Sequence, residues 1–252
     1  MNLVLIQARM GSTRLPGKVL KEIMGVPLLL WLYKRITPSR FASRVVVATT
    51  MEIGDDPIVK FCIENKIEYY RGSEWDVLDR YYQAAKFYHA TNIIRVTADC
   101  PLQHHSVIDF IFEQFEKSGC DYFSNSNCEP DFLEDGFDVE IFNYHALEVA
   151  WLESKLLSER EHVTPYIKYS GKFNCGWKKF LSDYHFKLSV DSPEDFLLVD
   201  KIFNHLKSIP EFGMNEVIDL LNNYPELIQI NHNSIINSGY KLSLKMDKTV
   251  NP

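Results

Sequence analysis

A chain of 252 residues, 46% apolar and 24% charged, is long enough to bury a sizeable core and too evenly mixed to be disordered or fibrous. Its formal charge of −7 excludes a general binder of long nucleic acids, which needs a basic excess. The charge is uneven, however: residues 1–50 hold eight bases and one acid, Glu22, and this asymmetry points to an anionic ligand near the N-terminus.

In chain order, β-branched and apolar runs predict strands over Leu3 to Gln7, Val45 to Thr49, Glu68 to Tyr70, Asn92 to Thr97 and Asp121 to Ser124. Helical periodicity lies between them near 27–37, 56–65, 75–88 and 104–117. Alternation of strand and helix predicts an α/β fold with a mostly parallel sheet, and ligands of such sheets bind beyond the carboxyl ends of the strands. The loops after residues 7, 49, 70 and 97 are therefore the places to look for chemistry. Past residue 125 the pattern changes to an antiparallel excursion or dimer arm: strands over Phe137 to Phe142, Phe173 to Trp177 and Tyr184 to Val190, and helices over 144–155 and 158–169. Asp191-Ser192-Pro193-Glu194 then reads as a capped helix start. One domain over 1–235 is expected, with 130–180 as a possible acceptor or dimerisation insertion and 236–252 as a polar tail.

Five cysteines, Cys62, Cys100, Cys120, Cys128 and Cys175, show no C-x-x-C spacing, which fits reduced thiols and a cytoplasmic protein. No apolar run approaches the roughly 18 residues of a membrane span, so membrane insertion is not expected.

The first strand opens into Ala8-Arg9-Met10-Gly11-Ser12-Thr13-Arg14-Leu15-Pro16-Gly17-Lys18. Glycines admit an anion close to backbone N–H groups, hydroxyls add neutral donors, and Arg and Lys add charge-assisted bonds to phosphate oxygens. The pattern is neither Walker A nor the dinucleotide G-x-G-x-x-G. The plain alternative is a solvated basic loop.

Ile6 to Lys18 closely resembles the N-terminal signature of the acylneuraminate and 3-deoxy-manno-octulosonate cytidylyltransferases, and within them the SpsF-like branch of spore coat polysaccharide biosynthesis proteins. Asp76 to Tyr81, Arg95 to Leu102, Asp138-Val139-Glu140, Arg160 to Tyr166 and Val190 to Asp195 resemble further segments of the same branch, so the likeness covers about residues 1–205. It implies a Rossmann-like (GT-A-like) nucleotidyltransferase sheet, CTP as donor, an acidic sugar or related acceptor for a surface polysaccharide, release of pyrophosphate, and a homodimer. It also implies Mg²⁺ held by Asp99 and Asp191. Arg14, Lys18 and Asp99 are the expected catalytic residues.

The nucleotide site is expected over Gln7, Ala8, Arg9, Met10, Gly11, Ser12, Thr13, Arg14 and Lys18, with Met10, Gly11 and Ser12 supplying backbone donors. Gly72, Ser73, Asp79 and Arg80 would complete it, the alternatives being a plain turn and an ion pair. Asp138 and Glu140 fall on one strand face and would bind metal or an acceptor hydroxyl, or pair with Arg160. Arg160 and His162 are expected at an acceptor pocket, the alternatives for Glu161-His162 being a dimer contact and, for the histidine, a structural hydrogen bond, which a lone His more often makes. Lys34, Arg35, Arg40 and Arg44 read as solvated helix ends, Cys100 as a small buried filler, and His104-His105 as a helix cap. Relatives often carry Gly at the position of Ala98, whose methyl would narrow the pocket. Two other readings are a nucleotide-sugar glycosyltransferase, for which no suitably placed D-x-D occurs, and a noncatalytic nucleotide-binding protein.

Overall fold

In a computed structural model, which describes residues 1–126, 134–181, 185–236 and 238–250, strand β1 (Asn2–Gln7) buries Leu3, Val4, Leu5 and Ile6 completely. Leu3 and Leu5 enter one core cluster and Val4 and Ile6 the other, so strand alternation splits the interior into two layers. A small hairpin of β2 (Glu22–Ile23) and β3 (Val26–Pro27) precedes α1 (Leu28–Ile36), β4 (Arg44–Thr50), α2 (Asp56–Glu64) and β5 (Glu68–Gly72). Then come α3 (Val77–Phe87), β6 (Asn92–Thr97), α4 (His105–Ser118), β7 (Tyr122–Ser124) and β8 (Glu140–Asn143). The chain continues with α5 (Tyr144–Glu153), α6 (Leu157–His162), α7 (Pro165–Tyr169), β9 (Cys175–Trp177), α8 (Pro193–Leu206), α9 (Met214–Asn223) and α10 (Ser238–Lys245).

The sheet order is β5-β4-β1-β6-β8-β7-β9, with β8 antiparallel to both its neighbours and the other pairs parallel. The expected mostly parallel sheet with an antiparallel excursion is present. One face is covered by α3, α5 and α7, the other by α1, α2, α4, α8 and α9. From β1 the chain builds β4 and β5 on one side and then returns to place β6 on the other. Loops leaving β1 and β6 thus diverge at a switch point, where a crevice opens. Gln7 and Thr97 are partners in register, so the two loops start side by side.

Three local expectations differ. The strand predicted over Phe137 to Phe142 begins only at Glu140, because the Asn125 side chain takes Val139 N–H and gives to Phe137 O, and Ser124 Oγ gives to Val139 O, in place of a ladder. The helix predicted over 158–169 breaks into α6 and α7 at Val163, whose φ of 70° and ψ of −53° make a strained γ-turn closed by Thr164 N–H on His162 O at 2.8 Å. Of the strand expected over Tyr184 to Val190, residues 182–184 lie outside the described residues. Residues 185–190 form no ladder: Leu188 and Ser189 N–H groups go to the Asp135 carboxylate and Val190 N–H to Asp99 O.

Arg35 is not a solvated helix-end residue. It is buried, stacks over Phe212 and donates to the carbonyls of Leu102, Gln103 and Phe212, so it pins the loop that follows Asp99. Burial lowers its pKa to about 10. Among the described residues no helix is long and apolar enough to cross a membrane, and Cys62, Cys100, Cys120 and Cys175 are free thiols. Cys128 lies outside the described residues.

Candidate active site

The loop after β1 is folded on itself by Met10 O, which accepts from Ser12 N–H at 2.8 Å and Gly17 N–H at 3.0 Å. Gly17 turns the chain at φ 66°, a left-handed geometry that favours glycine, and Lys18 opens the following 3-10 turn. Its ammonium reaches Asp99 Oδ2 at 2.8 Å, Asp191 Oδ1 at 3.0 Å and Val190 O at 2.7 Å. Asp99 leaves the end of β6 and Asp191 precedes α8, which starts as foreseen with Ser192 capping Asp195 N–H and Pro193 in the first turn. A backbone bond, Val190 N–H to Asp99 O at 2.7 Å, ties the two loops together. Residues 81 and 173 positions from Lys18 in sequence thus share one cation.

Burial alone would lift the Asp99 carboxyl, but Lys18 outweighs it and holds Asp99 well below the usual carboxylate range. Burial likewise opposes the Lys18 charge, and the two carboxylates raise its pKa despite that. Arg14, about half exposed, pairs with Asp191 at 3.3 Å. Lys187, which the sequence reading missed, bonds Asp191 Oδ2 at 3.0 Å and Asp195 Oδ2 at 3.2 Å. A lysine four residues before an aspartate at a helix start was its only signal.

The nucleotide half differs in detail from expectation. Ala8 is buried and gives its N–H to Ala48 O, while Met10 N–H goes to Asp55 Oδ1 at 2.6 Å and Ser12 N–H to Met10 O. Of the three expected backbone donors, Gly11 N–H alone has no partner among the described residues. A side chain at Gly11 would meet no protein atom within 4 Å, so neither packing nor φ asks for glycine there. Ser12 Oγ accepts from Leu15 N–H within the loop, and Arg9 and Thr13 are exposed. Gln7 Oε1 accepts from Arg95.

Gly72 is explained by packing: a Cβ there would lie 2.8 Å from Arg80 Cγ. Ser73 Oγ accepts from Asp76 N–H in the turn before α3. Asp79 and Arg80 do not pair with each other. Asp79 accepts from Gln83 and Trp151, while buried Arg80 donates to Ala48 O and Glu74 O and its Nε has no hydrogen-bond partner among the described residues. Burial, reinforced by repulsion from Arg9, lowers the Arg80 pKa. Two cations near each other, one with an unused buried donor, suit a polyanion.

Beyond the Asp99–Asp191 pair lies a cavity of about 260 Å³. Its walls include Arg14, Arg95, Asp135, Asp138, Glu140, His162 and Lys168. Glu140 is heavily engaged: Tyr122 OH at 2.6 Å, Thr164 Oγ1 at 2.7 Å and Lys168 Nζ at 3.2 Å donate to its Oε1 and Arg95 Nη1 at 2.5 Å to its Oε2. Those donors overcome its burial and keep it ionised, so it orients two cations, and Oε2, with one donor, keeps a lone pair. Arg160 meets neither Asp138 nor Glu140. It is buried on Asp76 and Trp151 O and does not line the cavity.

Asp138 does line it, and burial together with Asp135 and Asp99 pushes its carboxyl up to about 7. Gln103, fully buried, donates to Asp138 O at 2.9 Å and so links its loop to that of Asp138. Cys100 is a buried thiol driven well up by burial, as a filler should be, and His104 caps α4. Ala98 is buried in the core and forms no part of the cavity wall, so its methyl does not narrow the pocket. Arg95 was also missed as a cavity residue. A lone cation in the apolar run Ile93-Ile94-Arg95-Val96 was its signal.

Two carboxylates from separate loops converge on one cation position, which is the donor set Mg²⁺ takes when phosphate and water complete its shell. Among the described residues no group of three His, Cys, Asp or Glu side chains stands together to hold a metal ion.

Residues 3–235 match the profile of a protein family described as Cytidylyltransferase. The chain is 36% identical to the uncharacterized protein MJ1063 of Methanocaldococcus jannaschii over 233 residues, covering 91% of this chain and 93% of that protein. It is 31% identical to spore coat polysaccharide biosynthesis protein SpsF of Bacillus subtilis over 234 residues, covering 89% and 95%. The solved structure of a cytidylyltransferase from Leptospira borgpetersenii superposes with a TM-score of 0.84 at 31% identity, covering 93% of this chain and 98% of that one.

Proposed function

This chain belongs to the cytidylyltransferase family, and on that footing we propose that it transfers CMP from CTP to a hydroxyl of an acidic sugar or related acceptor, for a surface polysaccharide, in the cytoplasm. The acceptor oxygen forms a bond to the α-phosphorus, the bond from that phosphorus to the bridging oxygen breaks, and pyrophosphate departs with the electron pair. The observation that carries this reading is the Lys18 ammonium bound to both Asp99 and Asp191 at the switch point of the sheet.

Arg9 and Arg14 are the exposed cations offered to the triphosphate, and Lys18, half-buried, would stabilise charge that builds on the leaving group. Asp99 and Asp191 would hold Mg²⁺, which would neutralise phosphate oxygens as a Lewis acid. Arg95 and Lys168 share the acid Glu140 on the cavity wall, and these two cations are the groups that suit an acceptor carboxylate. Asp138 and His162 line the same cavity and can accept from its hydroxyls. The homodimer reading is supported by exposed Leu152, Tyr169 and Trp177 on α5, α7 and the edge strand β9.

Incubation with CTP, Mg²⁺ and a panel of sugar acids and sugar phosphates, with pyrophosphate release as readout, tests the proposal. Turnover with an acidic acceptor is expected, and Lys18→Ala or Asp99→Asn should lower it by about 10²-fold or more. Absence of CTP binding, or wild-type rates in both variants, refutes it.

A further inference from the structure

The matched family profile ends at residue 235, yet Gly239 and Tyr240 line the cavity. They stand on α10, in the stretch expected to be a polar tail, and that stretch is fastened down. Leu156 and Thr249 form an antiparallel bridge, with Leu157 N–H on Lys248 O at 3.0 Å and Val250 N–H on Lys155 O at 2.7 Å. The Asp247 carboxylate accepts from Ser158 N–H at 3.0 Å and Ser158 Oγ at 2.7 Å, satisfying the first turn of α6.

At the other end of α6, Ser243 Oγ donates to the Glu161 carboxylate and lies 3.0 Å from His162 Nε2. A hydroxyl has one proton, and it is spent on Glu161. His162 Nε2 must then be the donor to Ser243, which leaves Nδ1 as the only lone pair of the ring. Burial supports a neutral ring, lowering the His162 pKa to about 4. The arrangement is not a nucleophilic triad, because the serine donates to the acid and not to the histidine, and the acid lies 3.8 Å from His162 Nε2, on the same side of the ring as the serine. Tyr240 meets the His162 ring edge-on, centroids 4.9 Å apart. From His162 the strained turn at Val163 leads straight to Thr164 and its bond to Glu140, the acid that orients Arg95 and Lys168.

We propose that residues 238–250 form the acceptor-selecting wall of this site: Tyr240 shapes the cavity, and Ser243 fixes His162 as a neutral hydrogen-bond acceptor for an acceptor hydroxyl. This rests on the cytidylyl-transfer reading. It assigns Tyr240 a specificity role and Ser243 a positioning role.

Two measurements on the full chain test it, using Tyr240→Ala and Ser243→Ala with Tyr240→Phe and Ser243→Thr as conservative controls. In ¹⁵N spectra of the histidine rings, His162 should show the Nε2–H tautomer in the wild type and in Ser243→Thr, and lose that preference in Ser243→Ala. An Nδ1–H ring in the wild type, or no change in Ser243→Ala, overturns the positioning role whether or not an acceptor is known. In the kinetic arm, 3-deoxy-manno-octulosonate and N-acetylneuraminate serve as probes beside other sugar acids. Tyr240→Ala should raise acceptor KM about tenfold and reorder the acceptors while the Kd for CTP stays within about twofold. Unchanged KM and ranking overturn the selecting role. Failure of the wild type to turn over any acceptor counts against the cytidylyl-transfer reading and the selecting role built on it.

Discussion

Lys18 is the counter-charge for two carboxylates that would otherwise face each other in a partly buried crevice. Replacing it by Met removes the cation bound to Asp99, while Asp191 keeps Lys187 and Arg14, and breaking such a pair from one side costs more than the pair contributes. Lys18→Met should therefore lose about 2 kcal/mol of stability at pH 7, scaled down from fully buried pairs because Asp99 is a quarter exposed. The sign with pH follows from Asp99. Its folded pKa lies below the ordinary value, so its stabilisation is present above that value and lost as pH falls through the folded pKa. In Lys18→Met this contribution vanishes, so the gap between wild type and variant should narrow on acidification below about pH 4. Urea titrations at a series of pH values check this, and a gap independent of pH contradicts it. Lys18 was legible from the basic glycine loop after β1, at the carboxyl end of a strand in an open α/β sheet, whereas Asp99 and Asp191 were singled out by the resemblance to the family. The alternative pairing of Asp138 or Glu140 with Arg160 does not form, because alternation tells which face a side chain takes and not which partner it finds: Glu140, on the cavity wall, met Arg95 and Lys168, and Arg160 met Asp76 away from it.

Helix α4 follows the Asp99 loop, and His104 caps it by accepting Ser106 N–H through Nδ1. That bond needs an unprotonated nitrogen. Burial, with Arg35 adding to it, lowers the His104 pKa to about 4 from the usual 6.5. Below pH 6.5 the unfolded chain takes up a proton that the folded one refuses until about pH 4, so stability falls with pH across that window. Asn caps as well and does not titrate. Denaturation midpoints of wild type and His104→Asn should diverge on this account by ~1–2 kcal/mol between pH 7 and pH 4.5, the variant falling less; parallel curves refute the assignment. Elements with strong local signals matched expectation to within a few residues, as α4 and α8 show. Those decided by distant side chains did not. Asn125 and Ser124 delay β8, Asp135 holds 188–189 off any ladder, and the turn at Val163 divides a helix whose composition is otherwise continuous.

Across the whole molecule, the five arginines among the eight bases of the first fifty residues separate into two groups once folded. Arg35 is buried on carbonyls, Arg40 pairs with Asp109 and Glu113, and Arg44 with Glu68, so these three project little field. Arg9, without an acid partner among the described residues, and half-exposed Arg14 leave the β1 loop positive on a chain whose total is −7. An exposed field of this kind acts on a tetra-anionic nucleotide within roughly a Debye length, about 10 Å at 0.1 M salt and about 3 Å at 1 M. Raising NaCl from about 50 mM to about 500 mM should weaken CTP binding several-fold, while the thermal midpoint in the same buffers moves little, because buried ion pairs are screened less. Arg9→Ala should weaken binding at low salt by roughly 3- to 10-fold and flatten the salt slope, since it removes an exposed charge without touching the Lys18 pair. Calorimetric Kd values across the salt series decide it. A wild-type affinity indifferent to salt would mean that half-buried Lys18 and buried Arg80 hold the nucleotide and that the exposed loop charge is only a solvated face.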